Sequence, residues 1–296
     1  MKRRNFIKTM GIGAISMVTC NNILAAEVTA KKLPSIGLIT SLGGRWLREN
    51  PKGALQKIAE WGYKELEFGG NLGRMQNDEL LPFLKSLGLK PLIGSTSMGN
   101  IIDGTKLKID IKSAHDQGKE FIACYWPWVS GGGEKIDDWK MVADHLNKGA
   151  EICKKEGITL IYHNHDMEFY PVEGQMPFDV MMSRLDPTVG IELDLCWITK
   201  SGQSVESYLK KYPGRYPVLH VKDMPADIKR GEGPTDFSKL TEKDLACVGS
   251  GSIDFASIFK LNKISGAKYF IVENDKPENP AMCIESSAKN LLAMRF

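Results

Sequence analysis

Gly157-Ile158-Thr159-Leu160-Ile161-Tyr162-His163-Asn164-His165-Asp166-Met167-Glu168 decides the fold: an apolar run follows a glycine and ends in two imidazoles and two carboxylates. In a strand, residues two apart point the same way, so His163 and His165 project from one face at its C-terminal end. Such groups make a site rather than a core. Three later strand-like runs end in the same kind of chemistry: Asp194 follows 189–193, His220 follows 216–219 and Glu273 follows 269–272. Four strands thus deliver donor atoms to one rim.

Eight strand-like runs can be read, at 35–40, 63–68, 90–95, 120–125, 159–163, 189–195, 217–221 and 268–272. They alternate with helical stretches, the pattern of a parallel sheet covered by helices, and eight is the number that closes a (β/α)8 TIM barrel. Residues 51–61 carry Ala54, Leu55, Ile58 and Ala59 at the spacing of a one-sided helix, and Gly62 stops it. The stretches 80–87 before Gly88 and 139–155 before Gly157 repeat the device. Residues 225–252 read as a long loop, either a lid over the site or a solvated excursion, before a helix at 253–264. The α/β barrel is expected to occupy 33–296 as one domain.

The chain has 296 residues, 42% hydrophobic and 25% charged. Residues 1–26 hold Lys2, Arg3, Arg4 and Lys8 and no acid, so removing these four charges turns the net +3 into −1. A near-neutral body argues against a nucleic-acid partner. KRRNFIK at 2–8, followed by a short apolar stretch, resembles a twin-arginine export signal, which implies a periplasmic protein with no stable membrane insertion after cleavage. Cys20 is the acceptor in the alternative of a lipid anchor. Five cysteines follow the leader, an odd count without paired spacing, so no disulfide framework is expected.

The strand-end donors His163, Asp194, His220 and Glu273 would converge at the C-terminal face of a barrel. Nitrogen and carboxylate donors with open positions suit Mn²⁺, Zn²⁺, Co²⁺ or Fe²⁺. Lys222 lies two beyond His220 and shares its inward face; Glu192 lies two before Asp194 and also points inward. With Glu67 at the end of the second strand, Glu192 is expected to form a polar layer beneath the cation, and Glu67 also has the position to touch substrate. Trp126, Trp128 and Trp197 follow strand ends and can offer faces to a sugar ring, with core packing as the competing role.

The motifs GITLIYHNHDMEF (157–169), GIELDLCW (190–197), HVKDM (220–224), VGSGSIDF (248–255) and FIVEND (270–275) resemble the sugar phosphate isomerase/epimerase family. This xylose isomerase-like barrel group also includes inosose dehydratases and 3-keto-glycoside lyases. The resemblance runs from about residue 33 to the C-terminus. It implies a divalent metal held by Asp194, His220 and Glu273, with His163 where family epimerases carry a glutamate; His165 faces the same way and is the other candidate for that position.

The resemblance further implies a small-molecule carbohydrate substrate, leaves room for a homo-oligomer, and implies that a proton alpha to a carbonyl of a keto-sugar or cyclitol is removed. Isomerisation or epimerisation is the first reading. Loss of one carboxylate to His163 removes the symmetry that epimerisation uses, which favours the alternative, a lyase or dehydratase. A non-catalytic sugar-binding protein is the third. The roles expected are His165 as base or acid, Glu168 as acceptor of a substrate hydroxyl or as a group that orients its neighbours, Lys222 as a cation beside the oxyanion, and Glu273 as both ligand and proton carrier.

Overall fold

Each of the eight apolar runs forms a strand, and the strands close on themselves. The computed structural model describes residues 30–296 except positions 71 and 130, so the expected leader at 1–26 and Cys20 lie outside the described residues. β1 (Gly37–Ile39), β2 (Glu65–Glu67), β3 (Lys90–Thr96), β4 (Phe121–Cys124), β5 (Thr159–His163), β6 (Gly190–Asp194), β7 (Val218–Val221) and β8 (Tyr269–Val272) form a closed barrel in chain order. All pairs are parallel, including β8 with β1. Parallel neighbours need crossovers, and helices such as Pro51–Glu60, Asn77–Ser86, Thr105–Asp116 and Ile136–Lys155 supply them. The last buries Trp139, Val142, Leu146 and Cys153 on one face, the helical spacing of a stripe laid against the sheet. His115 and His145 ride on these helices, away from the strand ends.

Two features of the sheet aim the site. The register sets Asp194 beside His220 and His163 beside Glu192. An irregularity between Leu66 and Glu67 shifts β2 against β3, and such a bulge re-aims the side chain after it. Glu67 thereby ends fully buried in the barrel mouth. At the other end the barrel is tight: a Cβ on Gly37 would lie 2.4 Å from Ile271 Cδ1.

Three sequence expectations change. The helix at 253–264 is two short ones, Phe255–Phe259 and Asn262–Ser265, because Asp254 caps the first by accepting from Ser257 N–H and a tight turn separates them, with Leu261 N–H donating to Ile258 O. The loop after β7 is fastened to the barrel, so of its two readings the solvated excursion falls. Asp223 pairs with Ala246 in an antiparallel bridge and accepts from the N–H groups of Gly249, Gly251 and Ile253. Only glycine fits at 251, where a Cβ would sit 2.3 Å from Asp223 Oδ1.

The third change is a disulfide between Cys247 and Cys283, joining this loop to the helix Pro280–Ala293. The two residues are 36 apart in sequence and meet because Val248 is clamped on that helix, its N–H donating to Ser287 Oγ and its carbonyl accepting from Asn290. No spacing rule reports such a convergence. Cys124, Cys153 and Cys196 are free and buried.

Candidate metal centre

One donor atom from each of His163, Asp194, His220 and Glu273 lies within 4.8 Å of every other, and all four residues are buried. Asp194 divides its carboxylate. Oδ1 caps the helix Leu195–Lys200 by accepting from Cys196 N–H at 2.9 Å and Trp197 N–H at 2.8 Å, while Oδ2 is buried with no hydrogen-bond partner. The imidazoles divide their nitrogens likewise. His163 Nδ1 is 3.3 Å from Glu192 Oε2, with Nε2 3.9 Å from Asp194 Oδ2. His220 Nε2 is 3.0 Å from Glu67 Oε2, with Nδ1 3.1 Å from Glu273 Oε2 and 4.0 Å from Asp194 Oδ2.

Each ring therefore gives one nitrogen to the cluster and the other to a carboxylate behind it, the arrangement that fixes tautomer and basicity in metal-bound histidines. Asp194 Oδ2, which makes no hydrogen bond and has the Lys222 ammonium 3.2 Å away, and a two-nitrogen, two-carboxylate donor set fit a divalent cation. No thiolate contributes, and the set does not choose among Mn²⁺, Zn²⁺, Co²⁺ and Fe²⁺. His165 is not one of the four, so the imidazole that reaches the cluster is that of His163.

Buried charge dominates the electrostatics. Lys222 is 1% exposed, paired with Glu273, with its Nζ 3.2 Å from Asp194 Oδ2, 2.9 Å from Asp275 Oδ2 and 4.7 Å from the centre of the Trp197 ring. Burial alone would discharge this ammonium, but the carboxylates around it, Asp194 first, raise its pKa well above the usual value. The same pairing works on Glu273: burial pushes the carboxyl up, yet Lys222 and His220 outweigh it and hold it well below the usual range. Burial lifts Asp194 to about 6 despite Lys222, and lifts Glu192 well above the ordinary value with Glu67 adding to the effect. His220 is raised because Glu192, Glu67 and Glu273 overcome its burial. His163 and His165 go the other way, driven down by burial and by neighbouring positive groups, His165 to about 3.

Above the cluster lies a cavity of about 310 Å³ whose lining includes His163, His165, Glu67, Glu273, Asp275 and Trp126. Trp126 stacks on the His165 ring at 4.0 Å, and Phe237, from the loop after β7, meets both edge-on at 5.1 Å. Two hydrogen bonds from Thr235, N–H and hydroxyl, to Asp166 tie that loop to the segment after β5. Glu168 is fully buried beneath: it accepts from the Tyr162 hydroxyl and from His165 N–H at 3.1 Å, so it orients the His165 backbone, and burial raises it to about 8.

The three tryptophans separate. Trp126 lines the cavity and is 44% exposed; Trp197 is fully buried against Lys222; Trp128 packs edge-on against Trp139 at 4.7 Å and is not part of the cavity wall. Glu67 reaches the cavity but is bonded to His220 and to the Tyr125 hydroxyl. Asp275, Tyr125, Asn164 and Phe237 were not singled out from sequence. Asp275 had a signal, its position two beyond Glu273, and Asn164 sits between the two histidines, where its side-chain oxygen accepts from Asp194 N–H at 2.9 Å. Phe237 had none, because nothing local tells which residue of a long loop folds back.

Residues 55–292 match the family model described as the xylose isomerase-like TIM barrel. The chain is 26% identical over 270 residues to inosose dehydratase of Geobacillus kaustophilus, covering 82% of this chain and 84% of that one. Matches to clostridial inosose dehydratases span about half of those proteins, 43% for that of Clostridium beijerinckii. Among solved structures, a sugar phosphate isomerase/epimerase from Parabacteroides distasonis superposes with a TM-score of 0.73 at 24% identity, covering 90% of this chain and 96% of that one. The IolI protein with a bound zinc atom gives 0.70 at 18% identity, covering 88% and 100%. A family match over most of the chain and a closed barrel carrying its donors on β5, β6, β7 and the residue after β8 agree, and the chain belongs to the xylose isomerase-like TIM barrel family.

Proposed function

We propose that this protein is a divalent-metal-dependent enzyme that removes the proton alpha to the carbonyl of a keto-sugar or keto-cyclitol and then expels the oxygen substituent at the beta carbon, a carbon–oxygen lyase. The observation that carries this reading is His165: its ring lines the cavity 5.0 Å from His163, and its buried Nδ1 has no hydrogen-bond partner among the described residues. Glu168 holds its backbone and Trp126 its face. Kept neutral by burial and by Lys222, the imidazole starts as a proton acceptor. It takes the alpha proton and returns it to the departing oxygen, so one residue serves both halves of an elimination. A cation held by His163, Asp194, His220 and Glu273 supplies Lewis acidity at the substrate carbonyl. Lys222, fixed by three carboxylates, adds positive charge beside the developing oxyanion. Trp126 and Phe237 give the ring an apolar wall while Asp275 accepts hydroxyls.

The inosose dehydratase relatives support elimination. Epimerisation or isomerisation is the second reading, and it is favoured by the presence of both Glu273 and His165 in the cavity wall, two groups able to hold a proton. Incubating Mn²⁺-loaded protein in D₂O with keto-sugars and a keto-inositol separates the readings. Loss of water or of an O-linked group supports the lyase; deuterium in a retained sugar means epimerase or isomerase; tight binding without exchange means a sugar-binding protein. The leader-like segment and the Cys247–Cys283 disulfide together support export to an oxidising, periplasmic compartment. Among the described residues no helix is long and apolar enough to cross a membrane.

A further inference from the structure

The loop after β7 holds its base by many bonds and its tip by one side chain. Asp223 and the Cys247–Cys283 bridge secure 246–253, and Gly231 N–H donates to the Lys200 carbonyl at 2.9 Å. Between these anchors, among the described residues, segment 232–245 makes only two hydrogen bonds outside the loop. They run from Thr235 N–H at 2.9 Å and Thr235 Oγ1 at 2.5 Å, both to Oδ2 of Asp166. The segment also has apolar packing of its own: Phe237, Leu240 and Leu245 join Cys196, Trp197 and Met224 in a cluster separate from the barrel core. A unit with its own small cluster and few hydrogen bonds to the rest opens at low cost. Gly231 and Gly233, at φ 77° and 112°, stand at its start in backbone that other residues rarely adopt, as a hinge requires.

Phe237 is what the tip carries. Its ring meets those of His165, Trp126 and Trp197 edge-on, each at 5.1 Å, and His165 is left 7% exposed. Asp166 is fully buried, with Oδ1 unpartnered and the Lys200 ammonium 3.6 Å from Oδ2. Because Asp166 directly follows His165, the backbone that places the base also places the carboxylate that holds the tip.

We propose that Asp166 is a positioning residue and segment 232–245 a flap: the carboxylate draws Thr235 in, and Thr235 carries Phe237 onto the His165 ring. Closed, the flap shuts water away from His165 and its unpaired Nδ1, so that the imidazole stays free to take a proton from carbon. Open, it uncovers the cavity for substrate to enter and product to leave. The inference rests on the reading of His165 as the base and adds to it the device that keeps that base dry.

Chemical footprinting tests the flap without a substrate. Diethyl pyrocarbonate acylates neutral imidazole, and mass spectrometry reads each histidine of the Mn²⁺-loaded protein separately, with His115 and His145 on the outer helices as internal standards. Asp166→Ala is expected to speed acylation of His165 at least tenfold and Thr235→Val several-fold, while Thr235→Ser, which keeps the hydroxyl, stays within twofold of the unaltered protein. Amide hydrogen exchange should quicken in 232–245 in the same order and stay unchanged in 246–253, which Asp223 holds. Thr235→Val, nearly unchanged in shape, decides the matter if Asp166→Ala does not fold. Unaltered His165 acylation in Thr235→Val, loss of protection in Thr235→Ser, or faster exchange throughout the chain overturns the inference. Opened footprints in a protein that neither exchanges nor eliminates from any keto-sugar leave the flap standing and remove His165 as the base; elimination with footprints unmoved does the reverse.

Discussion

The two sides of the barrel mouth differ in kind. On the β5–β8 side, Lys222, Asp194, Glu273, His220 and Glu192 are nearly all inaccessible and each charge is held by another. On the β1–β2 side, Arg45 and Glu49 pair at 2.6 Å, but with 83% and 60% of their side chains exposed. Buried charges must be paired to be tolerated at all, whereas exposed pairs are screened and contribute little. One side is therefore rigid and built for chemistry; the other can vary without cost to the fold.

The sharpest way to break this contrast is at the reacting group. His165→Ala is expected to lower kcat by about 10²- to 10⁴-fold while metal content stays near stoichiometric, measured by steady-state rates and metal analysis. An activity loss that tracks metal loss would make His165 a ligand instead. Lys222→Met tests the rigid side, since it leaves Asp194, Glu273 and Asp275 without their common cation. Removing one partner of a buried pair costs roughly 3–5 kcal/mol, so chemical denaturation should show a loss of that size, and none if the lysine were merely accommodated.

The disulfide comes next. Replacing Cys247 and Cys283 with serine opens a 36-residue loop, and the chain-entropy model gives about 4 kcal/mol, roughly 10 °C in Tm. An unchanged Tm in oxidised protein would mean the bridge does not form.

Lys119 sharpens the comparison on the β1–β2 side, where it donates to the Phe68 carbonyl. Burial lowers its pKa from 10.5 to about 7, with Glu67 opposing weakly. Between pH 7 and 10 the unfolded chain therefore holds more protons at this group than the folded one, so its contribution makes stability rise with pH over that window and go flat below it. Lys119→Met should flatten the Tm-against-pH profile between 7 and 10; an unaltered slope would assign it elsewhere. The smallest effect is expected from Arg45→Ala, below about 1 kcal/mol in urea denaturation. A loss comparable to that of Lys222→Met would erase the distinction between the two sides.

Sequence alone determined what depends on period and order. Alternation along a strand placed His163, Asp194, His220 and Lys222 on inward faces, eight apolar runs with helical crossovers gave the barrel, and a barrel gathers all strand ends at one rim. Tertiary structure decided everything that depends on contact between distant segments. The choice of His163 over His165 rests on which ring reaches Asp194 and Glu192, and the burial of Lys222 on three carboxylates from two strand ends. Phe237, the Asp166–Thr235 tie and the Cys247–Cys283 bridge arise where loops fold back. Local patterns carry direction along a strand, but not the path by which a loop returns, because that path is set by packing and hydrogen bonds between residues tens of positions apart.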